Sequence, residues 1–138
     1  MKVSFLIVCI FCLANIFSCK KIVQQAEQNA ALNIMTTGVW YVQSYTVNNT
    51  MNYTSSFNGY VFKFNQNSTV TAINGTDSTT GSWSANIQNQ TITANFPNAT
   101  IPLSRLDSVW TITNSGDSFV VANTVYNNVT ANLSLQKQ

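Results

Sequence analysis

Residues 60–75 read YVFKFNQNSTVTAING, and this stretch decides the architecture. Tyr60, Phe62 and Phe64 alternate with Val61 and Lys63, so one face of an extended chain is aromatic while the other carries a charge. Side chains of a strand alternate with a period of two, and the pattern suits a strand buried on one face. Asn65-Gln66-Asn67-Ser68 reads as a turn into a second strand, Thr69 to Ile73. Asn74-Gly75 follows as a tight turn whose two central residues take positive φ.

The same pattern continues on both sides, with turn residues about every ten positions. Val39 to Val47 reads as the first strand, and Thr79 to Ile87 places Gly81, Trp83, Ala85 and Ile87 on one face. Thr91 to Phe96 turns Ile92, Ala94 and Phe96 inward before Pro97 and Pro102 interrupt. A loop or single helical turn through Leu103 and Leu106 leads to strands over Val109 to Thr113, Phe119 to Ala122 and Val129 to Leu135. About eight strands joined by short turns make an antiparallel meander. Such a sheet has exposed edges unless it closes, and closure at this strand number leaves room for side chains or one small ligand. The expected fold is all-β: an eight-stranded antiparallel up-and-down barrel over residues 38–138. An immunoglobulin-like sandwich is the alternative, because strand number and length fit both.

Residues 1–37 read differently. Lys2 and the apolar run Val3 to Phe17 form an export signal, too short for a comfortable membrane span of about 20 residues. Ile16-Phe17-Ser18-Cys19 resembles a bacterial lipoprotein lipobox, with residues 1–18 removed and Cys19 lipidated as the first residue of the mature chain. Phe17 departs from the smaller residue usual there. Cys9 and Cys12 lie within the removed segment, so the mature chain has no intrachain disulfide and depends on its packed core. Over residues 19–37, Ile22, Ala26, Ala30 and Ile34 recur every fourth position with Val23 and Ala31 beside them, and Gln24, Gln25, Gln28 and Asn29 stand opposite. This suits a short amphipathic helix capping one end of the domain, or a partly helical spacer between lipid and barrel.

Charge narrows the function. Six Lys and Arg against four Asp and Glu give a net charge of +2, and the cations are scattered, so nothing serves to bind a phosphate backbone. There is no histidine, and Cys19 is the candidate lipid site, which excludes Ser-His and Cys-His nucleophile pairs. Asp77, Asp107 and Asp117 fall near predicted turns rather than converging, which argues against a carboxylate pair or a calcium loop. Arg105 and Asp107 read as a local surface pair. The expectation is a non-enzymatic protein with no metal, no cofactor and no nucleic-acid partner.

Gly38-Val39-Trp40 at the start of the first strand resembles the G-x-W signature of lipocalins. Gly81-Ser82-Trp83 repeats it, and Gly59-Tyr60-x-Phe62-x-Phe64 followed by Ser68-Thr69-Val70-x-Ala72 is similar to small lipocalin-like lipoproteins of the Bacteroidetes type. Leu103-Ser104-x-Leu106-Asp107-x-x-Trp110 extends the likeness, which covers about Gly38 to Leu135. The resemblance implies an up-and-down barrel on a lipid tether. Larger lipocalins also carry a helix after the barrel and a cation over the first tryptophan; here Lys137 is the cation near the end of the sequence.

Trp40, Tyr60, Phe62, Phe64, Trp83 and Trp110 are the candidate ligand-lining residues, able to face an apolar cup that stacks a small molecule. The same rings are also what a small barrel uses to fill its interior. Two functions follow: a lipid-anchored envelope lipoprotein binding a small hydrophobic ligand, or a filled structural or protein-interaction module of the envelope. Lys20 and Lys21 after Cys19 do not resemble an acidic surface-export signal, which points to a periplasm-facing position on the outer membrane.

Overall fold

The computed structural model describes residues 20–138; residues 1–18, expected to be an export signal, and Cys19 lie outside the described residues. A helix, α1 (20–36), precedes nine strands: β1 (Trp40–Val47), β2 (Met51–Asn52), β3 (Tyr60–Phe64), β4 (Thr69–Asn74), β5 (Asp77–Asn86), β6 (Thr91–Asn95), β7 (Ser108–Ser115), β8 (Phe119–Tyr126) and β9 (Val129–Lys137). Neighbours pair antiparallel in chain order from β3 to β9, and β1 closes the ring by pairing with both β3 and β9. The result is a closed eight-stranded up-and-down barrel plus one extra strand, β2, which pairs with the far end of β1. Closure removes the edges that would otherwise template aggregation.

The weakest seam is β1 against β3, held in register only at Trp40↔Phe62. Beyond it the two strands part, and β2 with the 3₁₀ turn Thr54–Phe57 fills the opening. Phe57 from that turn is buried and lies 5.4 Å from the Tyr45 ring.

β1 carries a bulge between Val42 and Ser44. Trp40 and Val42 point inward before it, and Tyr45 and Val47 point inward after it. One extra residue thus resets the alternation so that the whole strand keeps its apolar face on the core.

The expected strands recur with small changes of boundary. The Asn74-Gly75 turn differs: Asn74 pairs with Asp77, so Gly75 and Thr76 are the central residues, and of these only Gly75 has positive φ. The two-residue turn with positive φ at both positions is Asn127-Asn128, between the paired Tyr126 and Val129.

Both barrel ends are stopped. At the Trp40 end, Met35 from the last turn of α1 is buried against the core, with Leu32 and Ile34 partly buried beside it. At the Val47 end, the 3₁₀ turn Leu103–Leu106 buries Leu103 and Leu106.

The helix docks through a different face from the one its apolar residues suggest. Gln28 Nε2 donates to the Ala85 carbonyl at 2.9 Å, and Gln28 Oε1 accepts the Ile87 N–H at 3.1 Å. Gln88 Nε2 donates to Gln24 Oε1 at 3.1 Å. The backbone at the β5–β6 turn offers both a donor and an acceptor, which a glutamine amide satisfies and an isoleucine does not. Ile22, Ala26 and Ala30 are left exposed.

Candidate functional site

Of the six aromatic residues expected to line a ligand cup, Trp40, Phe62, Phe64, Trp83 and Trp110 are buried in the core and Tyr60 packs against it. Trp40 is fully buried; its Nε1–H donates to the Met35 carbonyl at 2.9 Å and Lys137 Nζ stands 4.9 Å from the ring centroid. Lys137 Nζ also donates to the Ile34 carbonyl at 2.8 Å, so one ammonium ties the last strand to α1 and covers the first tryptophan. Trp83 Nε1–H donates to the Asn65 carbonyl and its ring packs edge-on to Phe64 at 5.2 Å. Trp110 Nε1–H donates to the Leu106 carbonyl at 2.9 Å and its ring meets Tyr45 at 6.1 Å. Every indole N–H is therefore spent on the protein's own backbone. Phe62 meets Phe96 edge-on at 6.4 Å, and Tyr60, half-buried at the wall, stacks on Phe62.

The space left inside is a void of ≈ 40 Å³, walled by Phe62, Phe64, Phe96, Trp110, Leu133 and neighbours. Ligand pockets run to about 300–1,000 Å³, so this one holds no small molecule of ordinary size. Trp40, Tyr60 and Trp83 are not among its walls.

A larger concavity, ≈ 530 Å³, opens at the rim of the Val47 end. One wall is the β8–β9 hairpin, with Thr124, Tyr126 and Val129; the other is Arg105, Asp107 and Ser108, where the 3₁₀ turn runs into β7. Tyr45, Val47 and Ala131 form the floor. Tyr126 is 75% exposed and Val129 43%, although Val129 continues the inward register of Ala131, Leu133 and Leu135. The core ends before Val129, which leaves its side chain facing the cleft.

Arg105 is the one cation of this cleft. Its guanidinium carbon lies 3.9 Å from the Tyr53 ring centroid, a stacked arrangement that restrains the head group. Its Nε is buried and has no hydrogen-bond partner among the described residues. Asp107, expected as its surface partner, instead accepts the Phe96 N–H on Oδ1 at 2.6 Å and anchors the chain leaving β6. The Arg105 carbonyl accepts the Tyr45 hydroxyl at 3.0 Å. Burial raises the Tyr45 pKa above its ordinary value, with the Arg105 charge pulling the other way. The phenol therefore stays protonated at neutral pH and serves as a fixed donor that locks the turn.

Sequence reasoning passed over this cleft because its two walls lie some twenty residues apart and meet through β7–β8 pairing, while its floor at Tyr45 and Val47 arrives only with barrel closure. A signal was present: Arg105 is the only cation between Lys63 and Lys137. Of the acids, only Asp107 reaches the cleft. Among the described residues no group of three His, Cys, Asp or Glu is placed to hold a metal ion.

No family model matches the chain, and no curated protein does. Among solved structures, the crystal structure of a DUF4847 family protein from Bacteroides vulgatus is similar to this chain, with 12% sequence identity and a TM-score of 0.52. The match covers 78% of this chain and 99% of that one, and at this identity it shows that the two share a barrel fold.

Proposed function

We propose that this chain is a non-enzymatic binding protein of a bacterial envelope, tethered by lipid on Cys19, which takes its ligand at the barrel rim instead of in the barrel interior. The carrying observation is the filled interior, whose void is only ≈ 40 Å³, beside an open rim concavity where apolar side chains meet one restrained cation. A ligand with an apolar body suits Val47, Tyr126 and Val129, and an anionic group on it suits the restrained guanidinium of Arg105. The tether is supported by the apolar run ending in Ile16-Phe17-Ser18-Cys19, and a periplasm-facing outer-membrane position by Lys20 and Lys21. The lack of any histidine supports the non-enzymatic reading. A second reading, a structural or protein-interaction module, is favoured by the filled interior itself.

Native mass spectrometry of the chain extracted from its own envelope tests the proposal. The expected result is a small molecule released on denaturation from the wild type and depleted about tenfold or more in Arg105→Gln, since a charge-assisted contact contributes about 1.5–3 kcal/mol. An empty wild type would leave the structural reading in its place.

A further inference from the structure

The exposed face of α1 is unusual for a helix docked on a barrel. Ile22 is 67% exposed and Val23 56%, and Ala26 and Ala30 are exposed on the same side. At 3.6 residues per turn these four form one stripe, and the docked residues Gln24, Gln28, Ala31 and Met35 form the stripe opposite. The glutamine bonds to Ala85, Ile87 and Gln88 fix the helix about its axis, so the apolar stripe is held away from the barrel. In water this orientation forgoes the burial of two large aliphatic side chains.

The surroundings of the stripe point to what covers it. Lys20 and Lys21 begin the helix, and Glu27 is its only acid. Cys19 directly precedes Lys20 in the sequence, and at 1.5 Å per residue Ala30 lies about 15 Å along the helix axis from Lys20. We propose that α1 lies along the surface of an anionic bilayer, with Ile22, Val23, Ala26 and Ala30 turned into the headgroup boundary and Lys20, at the edge of the stripe, against lipid phosphates. The proposal rests on lipid anchoring at Cys19, and it adds an orientation. The Trp40 end of the barrel, where α1 docks, faces the membrane, and the Arg105 cleft at the opposite end faces away from it.

The test uses the full processed chain carrying Gln25→Cys, Ala26→Cys or Ala30→Cys, labelled with a polarity-sensitive nitrobenzoxadiazole dye. The proteins are reconstituted in vesicles of phosphatidylcholine and phosphatidylglycerol with and without nitroxide-bearing lipid. The expected result is a blue-shifted emission, quenched by the nitroxide, at positions 26 and 30, with position 25 water-like between Cys19 and both of them. Emission that becomes steadily more water-like from 25 to 26 to 30, or is alike at all three, would overturn the proposal while leaving the anchor intact. Labelling of the unsubstituted chain would show a free Cys19 thiol, and would overturn the anchoring and the helix orientation together.

Discussion

Trp40→Ala is expected to lower the unfolding free energy by about 3–5 kcal/mol, the range for deleting a large buried aromatic side chain. Trp40 is fully buried at the one register pair that joins β1 to β3, and its ring is covered by Lys137 while its indole N–H holds Met35. Removing it opens the narrow seam of the barrel, orphans the Met35 carbonyl and strips the cap from that end. Against a typical total of about 5–15 kcal/mol, the loss takes a large part of the stability. Urea denaturation followed by circular dichroism measures it, and a midpoint unchanged from the wild type would mean that Trp40 does not close the barrel. Trp40→Phe keeps most of the apolar area and loses the indole donor, so its midpoint falls between the two.

Gly81→Ala is expected to be the next most damaging change, about 1–3 kcal/mol or more, although it adds a single methyl group. A Cβ at Gly81 collides with the Asn95 carbonyl oxygen and lies 2.8 Å from Phe96 Cδ1. Neither can easily give way. Asn95 is paired with Ser82 in the β5–β6 ladder, and Phe96 is a buried core residue whose own N–H is held by Asp107. Gly75→Ala meets no atom within 4 Å, so any loss there comes only from its positive φ. Comparing the two midpoints separates crowding from backbone strain; Gly81→Ala as stable as wild type would contradict the close packing of β6 over this position.

The barrel was legible in the sequence because its cause is local. Alternating rings in Tyr60–Phe64 and alternating aliphatic side chains in Ala131–Leu135, set off by asparagine-rich turns, leave a half-buried antiparallel strand as the arrangement that hides one face and wets the other. Three features depend on tertiary contact and were not legible. The β1 bulge keeps Tyr45 and Val47 inward, where unbroken alternation from Trp40 would have turned them out. The docking face of α1 was not legible because its last turn packs Met35, Leu32 and Ile34 on the core, while its first turns meet two backbone groups at Ala85 and Ile87 that call for an amide. The rim cleft follows from β7–β8 pairing, which sets Ser108 beside Thr124, and from β1–β9 closure, which supplies the floor at Tyr45 and Val47.

On the sequence, the aromatic residues suit either a ligand cup or a filled interior. The fate of the three indole N–H groups bears on the choice, since Met35, Asn65 and Leu106 take all of them. A polar tip committed to backbone has nothing left to offer a ligand. Under the proposed function, polar recognition falls to Arg105, whose guanidinium sits on Tyr53.

The most direct measurement of this account is a methyl NMR titration of the protein with 1-anilinonaphthalene-8-sulfonate, a probe that joins an apolar ring system to one anionic group. The account predicts ring-current shifts at the methyl groups of Val47, Val129 and Ala131, which line the rim cleft, abolished in Arg105→Gln, with Val70, Val120 and Leu133 in the barrel interior unmoved. Shifts centred on the interior methyl groups, or no shift at the rim at concentrations that saturate other anion sites, would contradict it.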